Sequence, residues 1–349
     1  MSRVLVIATS RKTRGGITSV IKVHESGEQW KCYHCHWVQT HRDGPAWRKI
    51  IYLAIAWIDF LIRLPFYDIV HVHFSTQTSA KRKLPFVLLS KLCGKKVIAH
   101  LHCGSQIHKI WNKDYEKIFS SADICLFLSD SLKKMVEQHT GSKDKYKYKY
   151  KVCYNPCPRV HTFDNLIDKK QQILFSATLS EAKGYRDLID AFAKIAPDLP
   201  SWNLVFAGNG EVDKARRLAE SLGIAERVQF CGWLHGEDKW RMYAQSSIFC
   251  LPSYAEGFPM AVLDAWAYGL PVITTAVGGV VDIAINGENT LLFNPGDVET
   301  LSSQIRLMIS DNVLQERIKS ASVELSQKVF NPDVINAQIA NYYKQLTII

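Results

Sequence analysis

Two carboxylates, Glu256 and Asp264, stand eight residues apart, with Gly257, Phe258 and Pro259 close behind the first. Proline suits the first position of a helix, because its missing N–H would lack an intrahelical partner there anyway. The pattern predicts a helix over 261–268, ended by Gly269. The unpaired N–H groups and positive dipole end of such a helix hold phosphate. Glu256 lies just before that start, and Asp264 about a turn and a half inside it at ~3.6 residues per turn. The arrangement suits a ligand with hydroxyls at both ends and phosphate in the middle, such as a nucleotide-sugar. Lys183-Gly184 follows an apolar run and opens a helix, where a lysine neutralises a diphosphate leaving group. Alone, Lys-Gly would read as a solvated helix start, Glu256 as a cap and Asp264 as an exposed acid. The neighbours of Asp264 (Leu263, Ala265, Trp266 and Ala267) argue against a solvated face.

The elements that must place these residues alternate between strand and helix. In the second half, short apolar strands are expected at 173–177, 203–207, 228–231, 248–251 and 272–275. Helices are expected at 185–196, 212–222, 238–245 and 261–268. The first half repeats the rhythm, with strands at 4–8, 69–73, 96–100 and 124–127 and helices from Ile17, Trp47, Ser79 and Asp130. This is the pattern of doubly wound α/β domains with largely parallel sheets, whose ligands bind at the carboxyl ends of the strands. The linker is placed near 155–168, which holds Pro156 and Pro158.

The run from Cys250 to Gly279, CLPSYAEGFPMAVLDAWAYGLPVITTAVGG, resembles the donor-site signature of glycosyltransferase family 4, whose members have the GT-B fold. The family pattern is Glu-x7-Glu, and here it is Glu-x7-Asp. The resemblance runs from about Ile173 to Pro295 and continues more weakly in the N-terminal half. It implies two Rossmann-like domains facing across a cleft: an acceptor-side domain at 1–160 and a nucleotide-sugar domain at 161–330. A last helix over 331–349 would pack back on the first domain. It also implies retention of anomeric configuration. No residue stands out as a covalent nucleophile, so front-face substitution is expected, with the leaving phosphate helping to deprotonate the acceptor.

The resemblance assigns roles residue by residue. Glu256 accepts from the donor sugar and Asp264 from the ribose, with N–H groups of Gly257 and Phe258 toward the phosphate. Lys183 binds the diphosphate. The family usually has an arginine five residues earlier, where this chain has Thr178, so the site is one cation short. Trp233 and Leu234, after the strand expected at 228–231, would lie near the base, although Trp233 reads equally as core. Gly15 and Gly16 match the family's glycine loop, and His102 the histidine near the reacting carbon. His71 and His100 read as satisfied core histidines. Gly208-Asn209-Gly210 lacks a third glycine at position 213, which excludes a nicotinamide site.

The 349 residues suffice for two domains. Residues 1–170 carry 29 Lys and Arg against 13 Asp and Glu, whereas 171–349 carry 14 against 20. The basic half suits an anionic surface. A nucleic acid fits poorly, since no recognition motif is present and the second half is acidic. The tract 143–151, KDKYKYKYK, alternates strictly, so Lys and Tyr fall on opposite faces of a strand. That reads as an edge strand with Tyr inward, or as a contact for anionic headgroups extended by Arg48, Lys49, Lys81, Arg82 and Lys83. The apolar helix over 50–64 reads either as core or as lying partly in a membrane interface, and the core reading is favoured. No signal peptide or transmembrane stretch is expected, and the nine cysteines read as reduced thiols of a cytoplasmic protein. No Asp-x-Asp motif occurs, so no metal or other cofactor is expected. Cys32 and Cys35 with His34 and His36 alternate across what reads as an ordinary strand. The expected activity is metal-independent sugar transfer from a UDP-sugar to a lipid-linked glycan at the inner face of the membrane. The alternatives are another GT-B-like enzyme, namely a sugar-nucleotide epimerase or phosphorylase, and a basic nucleic-acid-binding protein.

Overall fold

The first sheet contains β1 (Val4–Ala8), β2 (His36–Gln39), β3 (Ile69–Phe74), β4 (Lys96–Leu101), β5 (Ile124–Phe127) and β6 (Tyr150–Val152), in the order β2-β1-β3-β4-β5-β6. The second contains β7 (Gln172–Phe175), β8 (Asn203–Phe206), β9 (Val228–Phe230), β10 (Ile248–Leu251), β11 (Val272–Thr275) and β12 (Leu291–Phe293), in the order β12-β11-β10-β7-β8-β9. All pairings are parallel. This computed structural model describes residues 2–104, 107–140, 148–160 and 167–347. The chain divides into one unit of Met1–Pro156 with Pro332–Ile349, and a second of Cys157–Asn331.

Parallel strands are covered by helices on both faces, so they read as unbroken apolar runs. The five residues of β1 are all buried, as are the four of β10 and of β11. In each sheet the chain leaves one strand to one side and later returns to its other side. That switch lies between β1 and β3 in the first unit and between β7 and β10 in the second. Ligands of doubly wound sheets bind outside the carboxyl ends of strands at such a point.

The helix Pro332–Thr347 belongs to the first unit. Ile335, Ile339, Tyr342 and Tyr343 pack there with Val4, Val6, Ile69 and Ile98. Burying each such side chain contributes about 1.5–3 kcal/mol.

Four local expectations change. Cys32–His36 is not extended: Glu28–Cys32 is helical, and His34 takes a left-handed φ of 44° before β2 begins at His36. Burial pushes the Cys35 thiol up to about 12, so it stays protonated. Next, β7 stops at Phe175 because the chain leaves the sheet there, and Leu179 donates its N–H to Asn209 O instead (2.7 Å).

The Lys/Tyr tract lies outside the described residues at 143–147, and its end forms the edge strand β6. Tyr150 points inward against Phe127, but Tyr148 is exposed and Lys149 is buried. Lys149 Nζ donates to the carbonyls of Phe119 (2.7 Å) and Ala122 (3.1 Å), at the end of the helix Lys113–Ser121. Unpaired carbonyls at a helix end attract a cation, and that overrides strand alternation. Last, the helix Ala46–Arg63 is not core throughout. Ala56 and Phe60 are buried, but all five of its isoleucines are exposed. No helix among the described residues is long and apolar enough to cross a membrane.

Candidate functional site

The loops after β7 and β10 meet at the switch of the second sheet. Tyr254 N–H donates to Ala182 O (2.9 Å), so the two loops share a backbone bond one residue before Lys183. Gly184 makes this approach possible. Its φ is 68°, and a Cβ there would sit 1.9 Å from the carbonyl oxygen of Pro252. Lys183 Nζ then reaches Glu256 Oε1 at 2.5 Å, and Ser253 Oγ donates to the same oxygen at 2.7 Å. Both bonds fall on Oε1, so Oε2 keeps its acceptor capacity. The Glu256 side chain is 10% exposed and that of Lys183 27%, so the pair sits in a partly dry setting where charge interacts more strongly than in water.

After Glu256 the chain passes under the loop following β11. Gly279 N–H donates to Gly257 O (2.6 Å), and a Cβ on Gly278, whose φ is 65°, would lie 2.5 Å from Glu256 O. The helix runs Met260–Ala267, one residue earlier than expected, with Pro259 as its N-cap rather than its first residue. Phe258 turns its ring into the core against Phe330, leaving its main chain to the loop.

Asp264 is buried and ion-paired to Lys239 Nζ at 2.5 Å. Burial pushes its carboxyl pKa up, against the pull of Lys239. Lys239 comes from the helix Gly236–Gln245, and its ammonium lies 4.2 Å from the ring centre of Trp240. Thr178 is exposed beside Gly210, on the loop that pairs with the one after β8. Trp233 is exposed and Leu234 half-buried on the loop after β9, which excludes the core reading of Trp233.

In the first unit, Gly15 and Gly16 end the loop after β1, at that sheet's switch, and Gly16 opens the helix Gly16–Glu25. Gly15 has φ 138° with nothing within 4 Å of a Cβ, so conformation and not crowding favours glycine there. His102 follows β4, its N–H on Phe74 O (2.7 Å). Its Nε2 lies 2.9 Å from His73 Nδ1. Burial holds His102 near 3, so the ring is neutral and one of these nitrogens donates to the other.

His71, His73, His100 and His102 repeat at two-residue spacing on neighbouring strands, and His73 faces His100 in register. Strand alternation puts all four on one face. Burial drives His71, His73 and His100 well below the usual imidazole range. His71 Nδ1 bonds Tyr343 Oη (2.9 Å). His100 is not satisfied: neither of its ring nitrogens has a partner among the described residues. The ligand nitrogens of His71, His73 and His100 lie within 4.8 Å of one another. However, the rings of His71 and His73 stack at 4.2 Å. A bound metal sits in the plane of each imidazole ligand, and stacked planes run side by side.

The structure thus joins Lys183 to Glu256 within the second unit, and His102 to His73 within the first. Sequence reasoning missed Ser253, Lys239 and His73. The two-residue histidine repeats were a usable signal for His73. Nothing in spacing links Lys239 to Asp264.

Residues 160–324 match the family model for glycosyl transferases group 1. A 162-residue stretch is 35% identical to an exopolysaccharide phosphotransferase of Streptomyces coelicolor, covering 45% of this chain and 17% of that protein. A 156-residue stretch is 33% identical to the lipopolysaccharide core biosynthesis glycosyltransferase LpsE of Rhizobium meliloti, covering 44% of each. The chain spans less than half the length of these curated relatives. Among solved structures, Anabaena HepE in complex with UDP superposes with a TM-score of 0.78 at 18% identity, covering 98% of this chain and 100% of that one. The lipopolysaccharide outer core galactosyltransferase WaaB superposes with a TM-score of 0.68 at 23% identity, covering 99% and 100%. The second unit therefore matches glycosyl transferases group 1 over nearly its whole length, and the chain has the two-domain α/β GT-B fold of these structures.

Proposed function

We propose that this protein is a retaining glycosyltransferase that moves a sugar from a nucleotide-sugar, with UDP as the favoured nucleotide, to a lipid-linked glycan in cell-surface polysaccharide synthesis. The observation that carries the reading is the Lys183–Glu256 pair, set by two loops at the switch point of a unit that matches glycosyl transferases group 1. In this reading Glu256 orients the donor sugar through its hydroxyls and Asp264 takes the ribose. Lys183, with backbone N–H groups of Gly257 and Phe258, stabilises the charge that develops on the leaving diphosphate. Thr178 adds a hydroxyl there, and Trp233 and Leu234 lie toward the base. Gly15 and Gly16 let the first unit's main chain approach the donor. His102, neutral and oriented by His73, offers a ring nitrogen to the donor sugar near the reacting carbon. The acceptor hydroxyl attacks the anomeric carbon from the face the diphosphate leaves, and its proton passes to a phosphate oxygen. No metal takes part in these steps. The protein works at the cytoplasmic face of the membrane, held peripherally by the basic first unit.

HepE has been solved in complex with UDP and glucose and with UDP-glucose, which supports UDP as the first donor nucleotide to try. A thermal-shift panel of UDP-, GDP- and ADP-sugars identifies the donor, since saturating ligand at about 100 times its Kd stabilises by about 2.7 kcal/mol. Lys183→Ala should then lower kcat about 100-fold or more, the scale of losing one oxyanion donor. Transfer at the wild-type rate would refute the assignment. Turnover of donor to an epimer without an acceptor would favour the epimerase reading instead.

A further inference from the structure

The helix Ala46–Arg63 is apolar on both sides but covered on only one. Its inner side packs through Phe60, and through Trp57 stacked on Phe86 (4.1 Å). The outer side presents Ile50, Ile51, Ile55, Ile58, Leu61 and Ile62, each between 48% and 67% exposed, with Trp47 at its start. At 100° per residue these positions and Ala54 fall within one arc of about 140°, and that arc holds no charged residue. A solvated helix face is polar, and a helix that is apolar all round is normally buried. Phe66, in the turn that follows, is exposed as well.

The rim is cationic. Residues 42–95 contain nine Lys and Arg, of which Lys83 is buried, against three Asp and Glu. Arg48 lies over the ring of Trp47 (5.4 Å), and Arg42 donates to Tyr52 Oη (2.9 Å). Lys95 Nζ reaches Pro65 O (3.2 Å), beside Phe66. Asp59 already takes His36 and Arg63. We propose that this helix lies in the plane of an anionic lipid surface, with the isoleucine face among the acyl chains and the cationic rim on the headgroups. Such a helix binds through buried apolar area together with attraction to anionic lipid. A second copy is the poorer occupant. A symmetric dimer through this face would bring two such cationic rims together.

The inference names the partner surface for the lipid-linked acceptor and rests on that reading. The test compares the full chain with Ile55→Glu/Ile58→Glu and with Arg48→Glu/Lys49→Glu on phosphatidylcholine vesicles with and without phosphatidylglycerol. Thermal unfolding checks that each variant is folded. The wild type should sediment with anionic vesicles. Its Trp47 should be quenched by lipid brominated in the acyl chains, read as the difference from Trp47→Phe. Each double variant should lose on the order of tenfold or more in partitioning. Unchanged binding of the Ile55/Ile58 variant, or no acyl-chain quenching, overturns the proposal. So does a wild-type dimer that the Ile55/Ile58 variant splits while vesicle binding stays the same. Transfer to a soluble acceptor is measured in parallel. Absent transfer with intact, isoleucine-dependent vesicle binding refutes the enzyme reading and leaves the membrane surface standing.

Discussion

The buried imidazoles of the first unit make its stability fall as pH drops below about 6.5. His24, His71, His73, His100 and His102 all have their pKa values lowered by burial, His24 to about 4 and His102 to about 3. Among the described residues no carboxylate pairs with any of them: Asn336 holds His24, Tyr343 holds His71, and His73 and His102 hold each other. Each folded pKa lies below the unfolded one, so the unfolded chain binds more protons and stability falls as pH falls. The loss begins at the unfolded value, about 6.5, and continues toward the folded values. Between pH 6.5 and 5.5 one imidazole that titrates only when unfolded costs about 1 kcal/mol, so five cost about 5 kcal/mol. Whole domains are stable by about 5–15 kcal/mol, so the first unit should open in mild acid. Urea unfolding at pH 7.5, 6.5 and 5.5 measures the loss, and hydrogen exchange of peptides from each unit locates it. His100→Leu removes two unpartnered nitrogens and one titrating group. It should reduce the loss between pH 6.5 and 5.5 by about 1 kcal/mol without destabilising the protein at pH 7.5. Stability that is flat from pH 7.5 to 5.5 would refute the argument.

Lys239→Ala leaves the Asp264 carboxylate buried without its partner and should cost about 3–5 kcal/mol in the second unit. Asp264→Asn in the same chain should restore most of that in urea unfolding, whereas an unaltered midpoint for Lys239→Ala would show the pair to be idle. Gly184→Ala and Gly94→Ala both put a side chain at a left-handed φ, which costs about 1–2 kcal/mol. Only Gly184→Ala also meets the Pro252 carbonyl, so it alone should weaken UDP binding in calorimetry. Thr178→Arg supplies a second cation and should tighten UDP about tenfold or more, in a salt-dependent way, since a hydrogen bond to a charged group contributes about 1.5–3 kcal/mol. Unchanged affinity would mean that residue 178 does not face the phosphates.

The strands were legible because parallel sheets bury both faces, so runs such as Val4–Ala8 and Ile248–Leu251 are apolar throughout. β2 and β12 were not: both lie at sheet edges, β2 carries polar residues, as in His36–Gln39, and β12 is only the three residues Leu291–Phe293. The tract before β6 was misjudged for a non-local reason: Lys149 answers to the end of a helix some thirty residues earlier. The helix Ala46–Arg63 shows a limit of composition. Its sequence is that of a buried helix, and only the neighbours it lacks show that half of it is uncovered.

At the site, the legible part was the part contiguous in sequence. Glu256, Gly257 and Asp264 belong to one segment, and Ser253 adds to Glu256 from the same loop. What spacing could not show was how the charges balance. Lys239 could be taken for the cation that Thr178 fails to provide, but its ammonium is tied to a buried carboxylate. Pulling it toward a phosphate would strand Asp264, a cost comparable with any gain from the new contact. Lys183 differs, because its partner Glu256 keeps the hydroxyl of Ser253 when the lysine turns away. Of the two lysines, Lys183 is therefore the one able to exchange a carboxylate for a diphosphate, and in the proposed reaction the leaving-group charge would fall to it and to the backbone N–H groups.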